Sequence, residues 1–268
     1  MRSMLYLLIM GLLIYGGLVL FLYFIQERMI YFPTRNWDGT PADVGLDYET
    51  VWLTTRDAVK ISGWFVVAPQ AKGTVLFFHG NGGNMSHRLN LLQNLHGMGV
   101  NTLIIDYRGY GQSEGTVSEQ GTYEDAEAAW QYLITEKQVA PDKIVIWGNS
   151  LGGGVASWLA QQHPPAGLIL SSTFTSAVDV AAEVYPFLPV SLMARVRYET
   201  AQRLPHIQSP MLIIHSPSDD VIPYQHGLNL FEIAPEPKQF LQISGPHNAS
   251  WLNNSIYRQT VERFIRTE

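Results

Sequence analysis

From Ser3 to Ile25 the chain runs for 23 residues without a formal charge, and Leu, Ile, Val, Phe, Met, Tyr and Gly make up most of them. As a helix at 1.5 Å per residue, that run is about 34 Å long, enough to cross a hydrocarbon core of about 30 Å. A helix apolar on every face belongs in lipid or deep in a large core, not on a surface. A cleavable signal has a shorter apolar core, of about 7–15 residues, that ends at a small-x-small site. Here the run passes into Gln26-Glu27-Arg28-Met29-Ile30-Tyr31-Phe32-Pro33, which holds no such site. Tyr6, Tyr23 and Phe24 lie near its ends, where interfacial aromatics sit. The run therefore reads as an uncleaved anchor within residues 1–28, with residues 3–25 in the bilayer and residues 29–268 forming one folded domain. Arg2 at one end and Arg28 and Arg35 at the other leave the positive-inside rule close to a tie. The expectation is a cytoplasmic N-terminus and a domain on the non-cytoplasmic side.

Beyond a polar stretch, Trp37–Val44, that reads as a linker, Glu49–Leu53 and Lys60–Val67 alternate as an antiparallel strand pair would. The pattern then changes. Short apolar runs follow at Thr74–Phe78, Thr102–Ile105, Ile144–Trp147, Gly167–Leu170, Met211–Ile214 and Phe240–Ile243. Continuous apolar strands are buried on both faces, as in a parallel sheet. Between and after them lie helical segments at Ser86–His96, Thr122–Lys137, Leu151–Gln162, Pro223–Ile233 and Trp251–Arg266. In the second of these, Ala126, Ala129, Trp130 and Leu133 share one face. Repeated strand–helix units predict an α/β fold: a mostly parallel sheet of about eight strands with helices on both faces. In such a sheet ligands bind beyond the carboxyl ends of the strands.

Motifs for catalysis fall at those ends. Ile144–Trp147 runs into Gly148-Asn149-Ser150-Leu151-Gly152, a G-x-S-x-G between strand and helix. This tight turn lifts a serine hydroxyl to the top of the sheet, which makes Ser150 the candidate nucleophile. A serine needs a base, and the base needs a carboxylate to orient it. In this fold class the order is Ser, then Asp or Glu, then His. Asp219 and Asp220 follow the strand Met211–Ile214; Asp219 is the candidate acid, and Asp220 reads as the cap of the next helix. Of eight histidines, only His247, after the last strand, stands at a strand carboxyl end and follows the acid. After Thr74–Phe78 comes His79-Gly80-Asn81-Gly82-Gly83-Asn84, a turn able to aim backbone N–H groups at a reacting oxygen. The candidate oxyanion donors are the main-chain amides of Asn81 and Leu151.

Other chemistries are disfavoured. The chain has no cysteine, which excludes a thiol nucleophile and Cys-ligated metals. No H-E-x-x-H occurs and the histidines are scattered, so no metal site and no cofactor are expected. The net charge of −6 argues against nucleic acid as a partner. Asp106-Tyr107-Arg108-Gly109-Tyr110-Gly111-Gln112-Ser113-Glu114-Gly115 lacks the spacing and the lysine of a phosphate loop. It reads as a structural turn in which Asp106 and Arg108 are hydrogen-bonded near the site.

Together these stretches, with Tyr31-Phe32-Pro33-Thr34 after the anchor, resemble the membrane-anchored α/β-hydrolases. That group holds the bud-emergence homologues of yeast and plants and animal hydrolases, some of them protein depalmitoylases. The resemblance spans nearly the whole chain and implies nucleophile Ser150, acid Asp219 and base His247. Two positions depart from the group's pattern: Ser216 stands where glycine commonly follows His215, and Pro246 stands where glycine commonly precedes the histidine.

The function expected is hydrolysis of a carboxylic ester or thioester by a serine hydrolase, its partners a small or lipid-like acyl substrate and the bilayer. A peptidase or amidase uses the same triad, and a catalytically silent tethered module is the reading from another class. The insertion 173–204 is apolar through Val184, Tyr185, Phe187, Leu188, Val190, Leu192 and Met193, and is broken by Pro186 and Pro189. It reads either as a small lid that accepts an acyl chain or touches the bilayer, or as helices packed on the core. Its shortness predicts modest acyl groups.

Overall fold

A computed structural model of the chain describes residues 2–248 and 255–266. Helix α1 (Arg2–Ile30) leads into strand β1 (Phe32–Pro33), followed by β2 (Tyr48–Thr54), β3 (Lys60–Val66), β4 (Thr74–Phe78) and the short β5 (Gly82–Gly83). Next come α2 (Leu89–Gly97), β6 (Asn101–Ile105), α3 (Glu119–Thr135), β7 (Ile144–Asn149), α4 (Leu151–Gln162) and β8 (Gly167–Ser171). A cap of three short helices follows: α5 (Ala177–Val184), α6 (Val190–Met193) and α7 (Thr200–Arg203). The chain closes with β9 (Met211–His215), α8 (Tyr224–Ile233), β10 (Lys238–Gln242) and α9 (Ser255–Ile265).

Eight strands form one sheet in the order β10-β9-β8-β7-β4-β6-β3-β2. It is parallel from β10 to β6, and β3 and β2 add antiparallel at one edge. Successive side chains on a strand point to opposite faces, so a run apolar at every position serves two cores. Leu76, Phe78, Leu103, Ile146 and Leu170 pack beneath α3 and α4, whereas Val75, Phe77, Ile104, Val145 and Ile169 pack beneath α2 and α9. The four residues on the shared face of α3 are all buried. Edge strand β2 alternates instead, with Val51 and Leu53 buried and Trp52 exposed.

The structure departs from the sequence reading in several places. Trp37–Val44 is no linker. Trp37 packs edge-on against buried Trp64, with ring centroids 5.0 Å apart, and its indole N–H donates to Asp106 at 2.8 Å. Thr40 and Asp43 then close a 3-10 turn at Pro41–Val44. Strand β10 starts two residues before the predicted Phe240, and the predicted start of the last helix at Trp251 lies outside the described residues. Helix α1 continues unbroken to Ile30. Strand β1 pairs in parallel with β5, Phe32 opposite Gly82 and Pro33 opposite Gly83, a ladder too short to leave a periodic signal.

The order of β7, β4 and β6 sets the site's position. After β4 the chain passes to one side to form β6, then returns to form β7 on the other. The loops leaving β4 and β7 therefore diverge and open a crevice at the sheet's carboxyl edge.

Candidate active site

Ser150 sits at the turn between β7 and α4 with φ +52° and ψ −122°, a conformation that L-residues rarely adopt. The surroundings hold it there. Its amide donates to Ser171 O at 2.9 Å, and its carbonyl accepts from Thr173 Oγ1 at 2.7 Å. A Cβ at Gly148 would collide with the Gly152 backbone, and one at Gly152 with the carbonyl of Phe78. The two glycines of the motif thus permit β7, β4 and α4 to approach closely enough for the turn to form.

His247 reaches this serine from the loop after β10. Its Nε2 lies 2.9 Å from Ser150 Oγ, and its Nδ1 lies 2.8 Å from Asp219 Oδ2 and 2.9 Å from Oδ1. The Asp219 side chain is fully buried, and Oδ1 also accepts from the amides of Val221 and Ile222. Burial works to raise the Asp219 carboxyl. The bonds from His247, Ile222 and Val221 outweigh it and hold the group below the ordinary carboxylate value. All three predicted triad residues therefore meet, each from a loop beyond a strand's carboxyl end.

Asp220 has a different place from the one read in the sequence. It does not cap α8, whose N-cap is Pro223 with no side-chain bond. Its Oδ1 accepts the His247 amide at 2.9 Å, so adjacent aspartates hold the ring and the backbone of the same histidine. Ser216 has a comparable part. Its hydroxyl donates to Gly245 O at 2.6 Å, joining the acid loop to the loop that carries His247. His215 Nε2 stands 3.5 Å from Asp219 Oδ2 but bonds to Ile222 O at 3.0 Å. Burial pushes its pKa below the usual histidine value.

The loop after β4 closes the other side. A Cβ at Gly80 would lie 3.2 Å from Ser150 Cβ, so Gly80 brings the backbone against the nucleophile. Asn81 follows it, and Leu151, the residue after the serine, opens α4. His79 anchors the loop: its carbonyl accepts from Tyr107 OH at 3.0 Å, and its ring is fully buried with Nδ1 2.7 Å from Gly80 O. Burial pushes the His79 pKa down to about 3. Asp106 accepts from Trp37 Nε1 and Met85 N, while Arg108 grips Asp125 and Asp57. Both are structural, as read.

The Asn81 side chain has a part that the sequence did not announce. Its Nδ2 donates to the carbonyl of Ile30, and its Oδ1 accepts from Phe32 N at 3.3 Å and Tyr110 OH at 3.0 Å. Tyr31 is buried between them, its hydroxyl 2.9 Å from Tyr198 OH. The end of α1 is thus sewn into the loop beside the nucleophile. The Tyr31-Phe32-Pro33-Thr34 stretch was the available signal, but nothing in it names its partners.

Among the described residues, no cluster of His, Asp and Glu is arranged to hold a metal ion. An open hollow of about 540 Å³ between α5, α7 and α8 is lined by Thr175, Asp179, Glu183 and His226, among others, and includes none of Ser150, Asp219 and His247.

Comparison with known proteins agrees with this architecture. Residues 69–199 match the family described as serine aminopeptidase, S33. The chain is 32% identical to the α/β hydrolase domain-containing protein WAV2 of Arabidopsis thaliana, over 94% of this chain and 92% of that one. It is also 32% identical to protein bem46 of Schizosaccharomyces pombe, over 91% and 87%. The esterase Pf2001 of Pyrococcus furiosus superposes with a TM-score of 0.71 at 21% identity, over 88% of this chain and 97% of that one, a likeness of fold. With a doubly wound sheet, a serine at its strained turn and full-length relatives of this kind, the chain belongs to the α/β-hydrolase family and is a hydrolase.

Proposed function

We propose that this hydrolase cleaves carboxylic esters or thioesters through an acyl-enzyme, with Ser150 as nucleophile, His247 as base and Asp219 as its orienting acid. The observation that carries the reading is the continuous chain from Ser150 Oγ to His247 Nε2 at 2.9 Å and from His247 Nδ1 to Asp219 Oδ2 at 2.8 Å. The hydroxyl donates to Nε2, so attack on an acyl carbon passes its proton to the ring. The Nδ1–H then donates to a carboxylate that its other bonds keep ionised, which stabilises the imidazolium. The oxyanion forms between the amides of Asn81 and Leu151, the second at the positive end of α4. His247 returns the proton to the leaving alcohol or thiol, and water activated by the same ring releases the acid. No step calls for a cofactor.

α1 is the bilayer anchor in this reading. It is long and apolar enough to span a membrane, and none of its residues is buried in the protein. The expected topology places the catalytic domain on the non-cytoplasmic side. A C-terminal reporter active only inside the cell refutes that orientation.

The test uses full-length protein in detergent, p-nitrophenyl esters from acetate to palmitate, and a fluorophosphonate probe. Turnover and labelling that both vanish in Ser150→Ala are the expected result, with best rates on short to medium chains. Turnover that survives Ser150→Ala refutes the assignment. The serine aminopeptidase description favours a second reading, a peptidase. Aminoacyl p-nitroanilides cleaved faster than the matched esters decide for it.

A further inference from the structure

We propose that the tip of the cap, residues 184–193, is embedded in the bilayer beside α1, so that the hydrolase domain holds a lipid surface with its own apolar loop as well as through the spanning helix. The proposal rests on reading α1 as a membrane helix and is independent of the triad's chemistry.

The first observation is one of depth. Tyr15, in the middle of α1, donates its hydroxyl to the carbonyl of Phe187 in the cap at 2.8 Å. Tyr15 precedes Ile25 by ten residues, so it lies about 15 Å along the helix from the end of the uncharged run. The hydrocarbon core is about 30 Å thick. Any placement of residues 3–25 across it therefore carries Phe187 far below the lipid surface.

The second observation is chemical. Between Glu183 and Arg195 lie eleven residues without a charge. Val184, Phe187 and Leu192 stand exposed, Leu192 by 88%. Such a cluster is costly in water and favourable in acyl chains. The charged groups lie at the C-terminal end of α1, just past the uncharged run. Arg195 pairs with Glu27 at 3.7 Å and covers the Tyr23 ring, and the Arg195 amide donates to Gln26 Oε1 at 2.8 Å. Gln26 Nε2 donates to Met193 O at 2.8 Å. Arginine, glutamate and tyrosine at one level, with apolar surface of both α1 and the cap on its N-terminal side along α1, mark an interface plane.

The third observation is the backbone. In hydrocarbon every exposed N–H and C=O must be satisfied within the protein. In and beside the tip, the amides of Tyr185, Leu188, Val190, Leu192, Met193 and Ala194 all have backbone acceptors within the cap. Pro186 and Pro189 have no N–H to satisfy. The carbonyl of Phe187, at the turn, takes the Tyr15 hydroxyl. Most of the tip's amides are thus satisfied within the protein, as a segment entering hydrocarbon requires.

The consequence for the site is geometric. Asn81 joins the end of α1 to the loop that touches Ser150, so a tip in the leaflet holds the crevice against the membrane surface.

The natural chain has no cysteine, so a single one can be introduced and labelled without background. Phe187→Cys and Leu192→Cys, each carrying bimane, are examined in full-length protein reconstituted in phosphatidylcholine vesicles. Quenching by lipids with a doxyl group on the acyl chain is compared with quenching by aqueous iodide. Leu12→Cys in α1 reports the anchor, and Lys143→Cys, at the opposite end of β7, reports water. The expected result is loss of emission to doxyl lipid and protection from iodide at 187 and 192, as at 12, with the reverse at 143. Labels at 187 and 192 that behave like 143 while 12 behaves as lipid-buried overturn the proposal and leave the anchor standing. A label at 12 open to iodide overturns both. Fluorophosphonate labelling of Ser150 in the same samples reports the catalytic reading separately.

Discussion

Asn81→Ala is the most informative perturbation, because it separates the side chain that sews α1 to the catalytic loop from the amide assigned to the oxyanion. Three hydrogen bonds vanish: to Ile30 O, from Phe32 N and from Tyr110 OH. The bond from Phe32 is long and exposed, while the other two are partly buried. At about 0.5–1.5 kcal/mol net each, the loss of stability is about 2–3 kcal/mol. For a chain of this size about 2–4 °C accompanies each kcal/mol, so the melting temperature falls by about 5–10 °C. The main-chain N–H remains, but the loop holding it is released from β1. Complete loss of one oxyanion donor costs about 2.7–4 kcal/mol, and that sets the ceiling. A loosened donor forfeits part of it, so kcat on p-nitrophenyl butyrate falls by about tenfold or more, with KM little changed. Tyr110→Phe removes one bond of the three and shifts both quantities less, in the same direction. A variant whose melting temperature falls by the full amount while kcat stays within twofold of wild type refutes the positioning role and reduces Asn81 to a staple.

Four further outcomes follow from the same geometry. A chain beginning at Trp37 lacks β1 and Tyr31; its kcat falls as in Asn81→Ala, and adding Asn81→Ala lowers it only by what the remaining Tyr110 bond supplies, because the truncation already breaks the other two contacts. Asp219→Asn keeps the fold by circular dichroism but lowers kcat by about 10⁴, since the ring loses its orienting anion. Gly152→Ala yields little soluble protein in an expression assay, because the new methyl meets the Phe78 backbone and no flexible side chain can yield. Acid sensitivity tests His79: its folded pKa is depressed to about 3, so from about pH 6.5 downward the unfolded chain takes up a proton that the native protein refuses, and stability falls. Asp106, raised to about 6 by burial, works the other way below that pH. His79→Gln is less stable at pH 7 and loses less on acidification from 7 to 6, read from urea midpoints; an unchanged slope refutes the assignment.

Residue types and their order in the chain were enough to place much of the site. A strand, G-x-S-x-G and a helix point to a strained turn that carries Ser150, and chain order with position at a strand's carboxyl end singled out His247; it left Asp219 and Asp220 together, and the helix cap that set Asp220 aside is not what the structure shows. The sheet was legible for a similar reason: strands buried on both faces leave runs with no polar break, as in Thr74–Phe78. These are local signals, complete within a few residues. The contacts that only the tertiary structure decided are pairings between segments far apart in the chain. Strand β1 has two residues and no period, and its partner lies about fifty positions away. Asp220 carries the same side chain as Asp219, yet it meets the backbone of His247 where Asp219 meets the ring. Ser216 reads as a departure from a glycine until it is seen to join two loops. Hydrophobic periodicity records which face of an element is buried, but not what covers it. The apolar sequence of the cap was evident from the start; its position against the middle of α1 became visible only in the folded chain.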